Sequence, residues 1–196
     1  MRAAKARAAV IRCCRALWER GLVSGSSGNV SARLDDGTVL ITPTRKALGL
    51  LDEDDLVRIG PDGVPRGDAL PSSEWRLHVA AYAARPDIET VVHTHPTFCV
   101  VWAGEDRLFP RDTVASTESL AAMALVPYHP TGTQQLADAT REALADGTPL
   151  ALLARHGLVA ATGAIEDAYV QTDLAEECAK VAYFSALYRA ANRMQS

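Results

Sequence analysis

The four cysteines include no Cys-x-x-Cys; Cys13 and Cys14 are too close for an ordinary bridge, and Cys99 and Cys178 stand apart. Neither a disulfide framework nor a cysteine-type zinc site is supported, and reduced, buried thiols in a cytoplasmic protein are expected. Positive charge is not in excess: 20 Lys and Arg against 24 Asp and Glu leave a net charge of -4 and no basic run, which argues against a nucleic-acid partner. No hydrophobic stretch approaches the length of a membrane span, so no membrane partner is expected. The first seven residues are cationic, but Arg12, Arg15, Glu19 and Arg20 break up the segment after them, unlike the apolar run of a secretory signal. Internal repeats and low-complexity linkers are absent as well. The chain has 196 residues, of which 48% are hydrophobic, enough for one domain with a substantial core, taken as 1–196.

Apolar positions at Ala9, Val10, Cys13, Leu17 and Leu22 predict a helix that stops near Gly21 and Gly25. Asp35-Asp36-Gly37 between Val30–Leu34 and Thr38–Thr42 reads as a hairpin, and Leu56–Ile59 as a strand before the turn Pro61-Asp62-Gly63. Ser72 or Ser73 caps a helix running to Pro86, and a buried strand, Ile88–Val92, delivers His93 at its end. A helix follows Pro96, and the stretch from Leu108 to Leu125 has no clear period. Thr133–Ala145 reads as a helix, Leu150–Ala154 and Leu158–Ala161 as paired strands, and Ile165–Asn192 as a long amphipathic helix. Several hairpins make the expected sheet largely antiparallel or mixed.

His93 and His95, two residues apart on an extended backbone, project from one face and can clamp one ion. His156, at a strand–glycine turn, supplies a third imidazole, and Glu74 a carboxylate. That donor set suits a catalytic metal with an open position, zinc by default, although cobalt, manganese and iron accept the same donors. Plainer readings are strand-end histidines, and a Glu74 that merely complements a helix dipole. Glu74 and His78, one helical turn apart, form an alternative ligand pair, whereas His129 reads as a loop residue. Three polar segments, Ser26-Ser27-Gly28-Asn29, Thr42-Pro43-Thr44 and Ser72-Ser73, can cradle an anion if they converge; separately, such loops only turn the chain. Arg45 and Lys46 come directly after Thr44 and are either cationic contacts or solvated charges.

Ser27-Gly28-Asn29-Val30-Ser31 with Arg33, Ile41-Thr42-Pro43-Thr44, Leu70-Pro71-Ser72-Ser73-Glu74-Trp75-Arg76 with His78, Arg85-Pro86-Asp87, Val91-Val92-His93-Thr94-His95 and His156-Gly157-Leu158 succeed one another in a familiar order. Over nearly its whole length the chain resembles the class II aldolase/adducin family, most closely the members that cleave L-fuculose 1-phosphate. The resemblance implies an α/β fold, a three-layer α/β/α sandwich around a mainly antiparallel or mixed sheet, and a homotetramer with active sites at subunit interfaces. It implies one Zn2+ per subunit on His93, His95 and His156, with Glu74 as the catalytic acid/base. Gly28, Asn29, Thr44, Ser72 and Ser73 would bind the phosphate of a small phosphorylated sugar, with Arg45 as a further candidate contact. The implied reaction is reversible cleavage of a ketose 1-phosphate, L-fuculose-1-phosphate-like or a 5-deoxypentulose phosphate, to dihydroxyacetone phosphate and an aldehyde, without a lysine Schiff base.

Other reactions on the scaffold are a methylthioribulose-1-phosphate-type dehydration, an epimerisation and a decarboxylation; the epimerases typically carry Asp where Glu74 stands. A non-catalytic, adducin-like interaction domain is the reading of another class, and loss of metal ligands would signal it; here all are retained. The chain departs from the fuculose-phosphate enzymes at three places. No tyrosine lies in Leu108–Ala122, where they carry a catalytic one, Thr44 is followed by Arg45 rather than glycine, and the sequence stops at Ser196 where theirs continues into an aromatic-bearing tail.

Overall fold

The structure, a computed structural model, describes residues 1–194; the last two residues of the expected 1–196 unit lie outside the described residues. Eight strands form one sheet in the order β4-β3-β2-β1-β5-β8-β7-β6. They are β1 (Asn29–Arg33), β2 (Val39–Ile41), β3 (Val57–Ile59), β4 (Pro65–Arg66), β5 (Thr90–Thr94), β6 (Met123–Val126), β7 (Leu150–Leu153) and β8 (Gly157–Thr162). Only β6 and β7 run parallel; every other neighbouring pair is antiparallel. The mixed α/β sheet expected from the hairpins is therefore what forms.

Alternation along the strands buries both faces. Val30, Leu40, Val92, Leu152, Leu158 and Ala160 belong to one core, with Leu17 of α1 (Ala3–Glu19), Cys99 of α3 (Thr97–Gly104) and Ala175 of α5 (Ile165–Arg193). Their neighbours Ile41, Val91, Ala151, Leu153, Val159 and Ala161 belong to a second core, with Leu77 of α2 (Trp75–Ala84) and Leu136 of α4 (Gln134–Leu144). Period-2 side chains thus sort helices into a layer on each face, a three-layer sandwich. All four cysteines are free and buried, as expected. No helix among the described residues is long and apolar enough to cross a membrane.

Three details differ from the sequence expectations. The α2 cap position falls on Glu74, not on either serine, and the Glu74 side chain makes no capping bond. Instead the Ser72 hydroxyl accepts from the Glu74 backbone N–H at 3.3 Å, which frees the carboxylate to turn into the molecule. The histidine expected just past β5 lies within it, because pairing of His93 with Val159 extends the strand to Thr94. The segment after Leu108, which has no period in the sequence, holds one π-helical turn, Ala115–Ser119, and then the edge strand β6. Its local pattern is weak because a side chain rather than a main-chain period shapes it: the Arg111 guanidinium donates to the carbonyls of Ser116, Leu120 and Ala121.

Arg33 and Arg85-Pro86, far apart in sequence, meet at the end of α2. The Arg33 guanidinium lies 5.1 Å from the Tyr82 ring centroid and donates to the carbonyls of Tyr82, Arg85, Pro86 and Ile88. It satisfies the open C-terminal end of the helix and ties it to β1.

Candidate metal centre and polar cavity

The site forms where β1, β5 and the β7–β8 turn end together. Asn29 opens β1 opposite His93 of β5, and His93 lies opposite Val159 of β8. His93 points to the α2 face of the sheet, as Val91 does, and so meets Glu74 at the start of α2. The Glu74 Oε2 atom is 2.8 Å from His93 Nε2 and 3.4 Å from His156 Nε2, while the Nε2 atoms of His93 and His95 are 3.0 Å apart. One ligand atom from each of Glu74, His93, His95 and His156 falls within 4.8 Å of the others.

Three features of the cluster fit a divalent cation. His93 Nδ1 lies 3.0 Å from the Leu158 carbonyl, which can only accept, so Nδ1 carries a proton and Nε2 is the nitrogen turned toward the cluster, where it would face a bound ion. Two imidazole nitrogens at 3.0 Å, beside a buried carboxylate, are the arrangement a shared positive ion stabilises. The Glu74 Oε1 atom is buried with no hydrogen-bond partner. Burial would raise the Glu74 pKa, but the adjacent His93 and the hydrogen bonds of His156 and His93 outweigh it and hold the carboxyl well below its usual range. His95 is pushed down to about 3 by burial, reinforced by His93 and His156, and is therefore a neutral donor.

The alternative pair Glu74 and His78 does not form. Both His78 ring nitrogens are engaged elsewhere, Nδ1 at 2.7 Å from the Ser31 hydroxyl and Nε2 at 2.5 Å from Asn29 Oδ1. His129 also lies outside the cluster.

Gly157 sets how closely the ligands approach. A Cβ there would run into the Thr94 carbonyl oxygen and stand 2.8 Å from His95 Cδ2 and 3.2 Å from His93 Cε1. Because the nearest obstacle is strand backbone, Gly157→Ala must separate β5 from β8 at the ligands. We expect a loss of about 3 kcal/mol, the upper range for overpacking, and weaker metal retention. Urea unfolding and metal analysis of the variant check this; a shift under about 1 kcal/mol with metal intact would contradict the close approach.

The three polar segments converge beside the cluster. Ser72 N–H donates to the Thr42 carbonyl and Thr44 N–H to the Leu70 carbonyl, which zips two of them together. The Thr42 hydroxyl accepts from Val30 N–H at 3.2 Å, which ties in the third. Gly28 allows that approach, for at φ 77° its position leaves a Cβ only 2.5 Å from Val23 Cγ1. The cavity so formed, about 210 Å³, is lined by every residue the resemblance named for phosphate, Gly28, Asn29, Thr44, Ser72 and Ser73, together with Arg45, Glu74, His95 and His156. Thr131, from the turn before α4, also reaches it. Sequence reading missed Thr131, whose only local signal is the loop composition of Pro130-Thr131-Gly132.

A sequence model of the family described as Class II Aldolase and Adducin N-terminal domain matches residues 8–183. An L-fuculose phosphate aldolase of Methanococcus maripaludis is 34% identical over 174 residues, 88% of this chain and 93% of its own. A 3-oxo-tetronate 4-phosphate decarboxylase of Haemophilus influenzae is 32% identical over 88% of this chain and 84% of its own. A solved structure of an L-fuculose 1-phosphate aldolase superposes with a TM-score of 0.87 at 28% identity, covering 94% of this chain and 87% of that one.

Proposed function

Because the chain belongs to the class II aldolase and adducin N-terminal domain family, we propose that it is a metal-dependent aldolase that reversibly splits a ketose 1-phosphate into dihydroxyacetone phosphate and an aldehyde. The observation that carries this reading is the unpartnered, buried Oε1 of Glu74, on a residue that lines the cavity beside three converging imidazoles.

His93, His95 and His156 hold the ion, zinc by the preference of imidazole donors, and its chemistry is Lewis-acid stabilisation of negative charge developing on the ketose half. Glu74 returns a proton to the carbon that loses its bond to the aldehyde, or removes it in the synthetic direction. Its carboxylate form is maintained by the flanking histidines. Gly28, Asn29, Thr44, Ser72 and Ser73 receive the phosphate, and their mixture of hydroxyl, amide and backbone donors suits that anion.

Arg45 completes the anion site. Among the described residues it is the one Lys or Arg side chain lining the cavity, it is exposed, and its backbone sits at φ 62°. Arginine in that left-handed region costs of order 1 kcal/mol, a strain tolerated where function needs the side chain. Arg45→Gly is expected to raise KM for a phosphorylated ketose about tenfold, one charge-assisted contact, without lowering stability. Steady-state kinetics beside a thermal melt decide this; unchanged KM removes Arg45 from the site.

Assembly as a homotetramer is supported by apolar residues exposed along α5, among them Phe184, Leu187 and Tyr188. Light scattering should return four times the 21.0 kDa chain mass. Monomer at micromolar concentration would refute it.

The decarboxylase relative favours a second reading, loss of carbon dioxide from a phosphorylated 3-oxo acid on the same groups. One experiment separates the two. Metal-replete enzyme is incubated with L-fuculose, 5-deoxyribulose and methylthioribulose 1-phosphates and with a phosphorylated 3-oxo acid, and products are resolved by mass. Dihydroxyacetone phosphate together with an aldehyde from a ketose 1-phosphate supports the aldolase; carbon dioxide release from the 3-oxo acid with every ketose phosphate uncleaved, or loss of water without cleavage, replaces that reaction with decarboxylation or dehydration.

A further inference from the structure

Asn29, Ser31 and Arg33 lie at i, i+2 and i+4 along β1, and Glu74, His78 and Tyr82 at i, i+4 and i+8 from the cap of α2 almost to its end. Both periods put each set on one face, and the faces meet in a buried polar seam. Tyr82 Oη is 2.8 Å from Ser31 Oγ, Ser31 Oγ is 2.7 Å from His78 Nδ1, and His78 Nε2 is 2.5 Å from Asn29 Oδ1. His78 is fully buried, and burial, chiefly, with His93 pushes its pKa down to about 3, so the ring carries one proton.

The direction of every bond is set by that count. A carbonyl oxygen can only accept, so Nε2 holds the proton and Nδ1 the lone pair. Nδ1 then accepts from the Ser31 hydroxyl, and Ser31 Oγ accepts in turn from Tyr82. Fixing Oδ1 against His78 leaves the Asn29 amide NH2 as the end free to face the cavity. With the opposite tautomer His78 would favour the flipped amide, presenting a carbonyl dipole to a bound anion.

We propose that His78, locked by Ser31 and Tyr82 as its Nε2–H tautomer, is a positioning residue that holds the Asn29 amide as a donor to the substrate's anionic group. The inference rests on the reading of the cavity as an anion site. It gives His78 a task in substrate selection rather than in metal binding, although it lies only one helical turn from Glu74.

The test uses the full-length, metal-replete enzyme, with inorganic phosphate as the probe. Nitrogen-15 NMR at neutral pH should show His78 protonated at Nε2; protonation at Nδ1 overturns the relay. Calorimetry should show Ser31→Ala weakening phosphate about tenfold and Tyr82→Phe, the milder change at the far end, about threefold, with metal content unchanged in both, consistent with one hydrogen bond lost or loosened. Phosphate affinity within a factor of about 1.5 of the parent for a folded Tyr82→Phe, together with an unmoved Ser31→Ala, overturns the proposal. A parent enzyme that binds no phosphate refutes the anion site itself, and the tautomer then judges the relay separately.

Discussion

Glu74→Gln is expected to lower turnover by about 10²–10⁴-fold, the usual contribution of a positioned acid/base, while the protein keeps its fold and its metal. Glutamine is nearly isosteric, so the packing around the α2 start is preserved, and the Ser72 contact involves only the backbone N–H of residue 74. What disappears is a group able to give and take a proton. Three histidines remain to hold the ion. Metal analysis together with single-turnover cleavage of the active substrate measures both halves. An undiminished rate removes Glu74 from proton transfer, and loss of metal with loss of rate makes it chiefly a ligand.

His156→Ala is expected to weaken metal binding by well over about 100-fold, since loss of a group that merely hydrogen-bonds to a ligand already costs about 10–100-fold. Turnover should vanish with the metal. The stability cost is small by comparison, because His156 Nδ1 has no partner and the β7–β8 turn is closed by backbone, His156 N–H donating to the Leu153 carbonyl. His78 cannot take over as donor, for both its nitrogens are committed to Ser31 and Asn29. Metal content after dialysis decides the matter; a stoichiometric ion in this variant would mean that the ligand set is wrong.

Much of the site was legible because its residues sit at local spacings that secondary structure converts directly into geometry. His93 and His95 share a face whenever their segment is extended, and Asp35-Asp36-Gly37 forces the hairpin that carries Asn29 back toward the Thr42 loop. Helix α4 begins where Thr133 accepts from Leu136 N–H, a cap written in the residue type. The segment after Leu108 was illegible because Arg111 organises it through three main-chain carbonyls, and such contacts leave no periodic trace. At the start of α2, residue preference favours a serine cap, whereas the turn built by Ser72 leaves position 74 at the cap.

The sequence alone determined which donors exist and that strands and helices interleave, for these are dictated by residue chemistry and by periods of 2 and 3.6. Only the tertiary structure decided between His156 and His78 as partners of Glu74. Both candidates offer the same imidazole, and the spacing of Glu74 and His78 on one helix was as suggestive as any ligand motif. The β1 stripe settled it by occupying both His78 nitrogens, while the β7–β8 turn, with no side chain at Gly157 to hold the strands apart, carried His156 to the carboxylate. Long-range strand pairing makes that choice, and no local pattern encodes it.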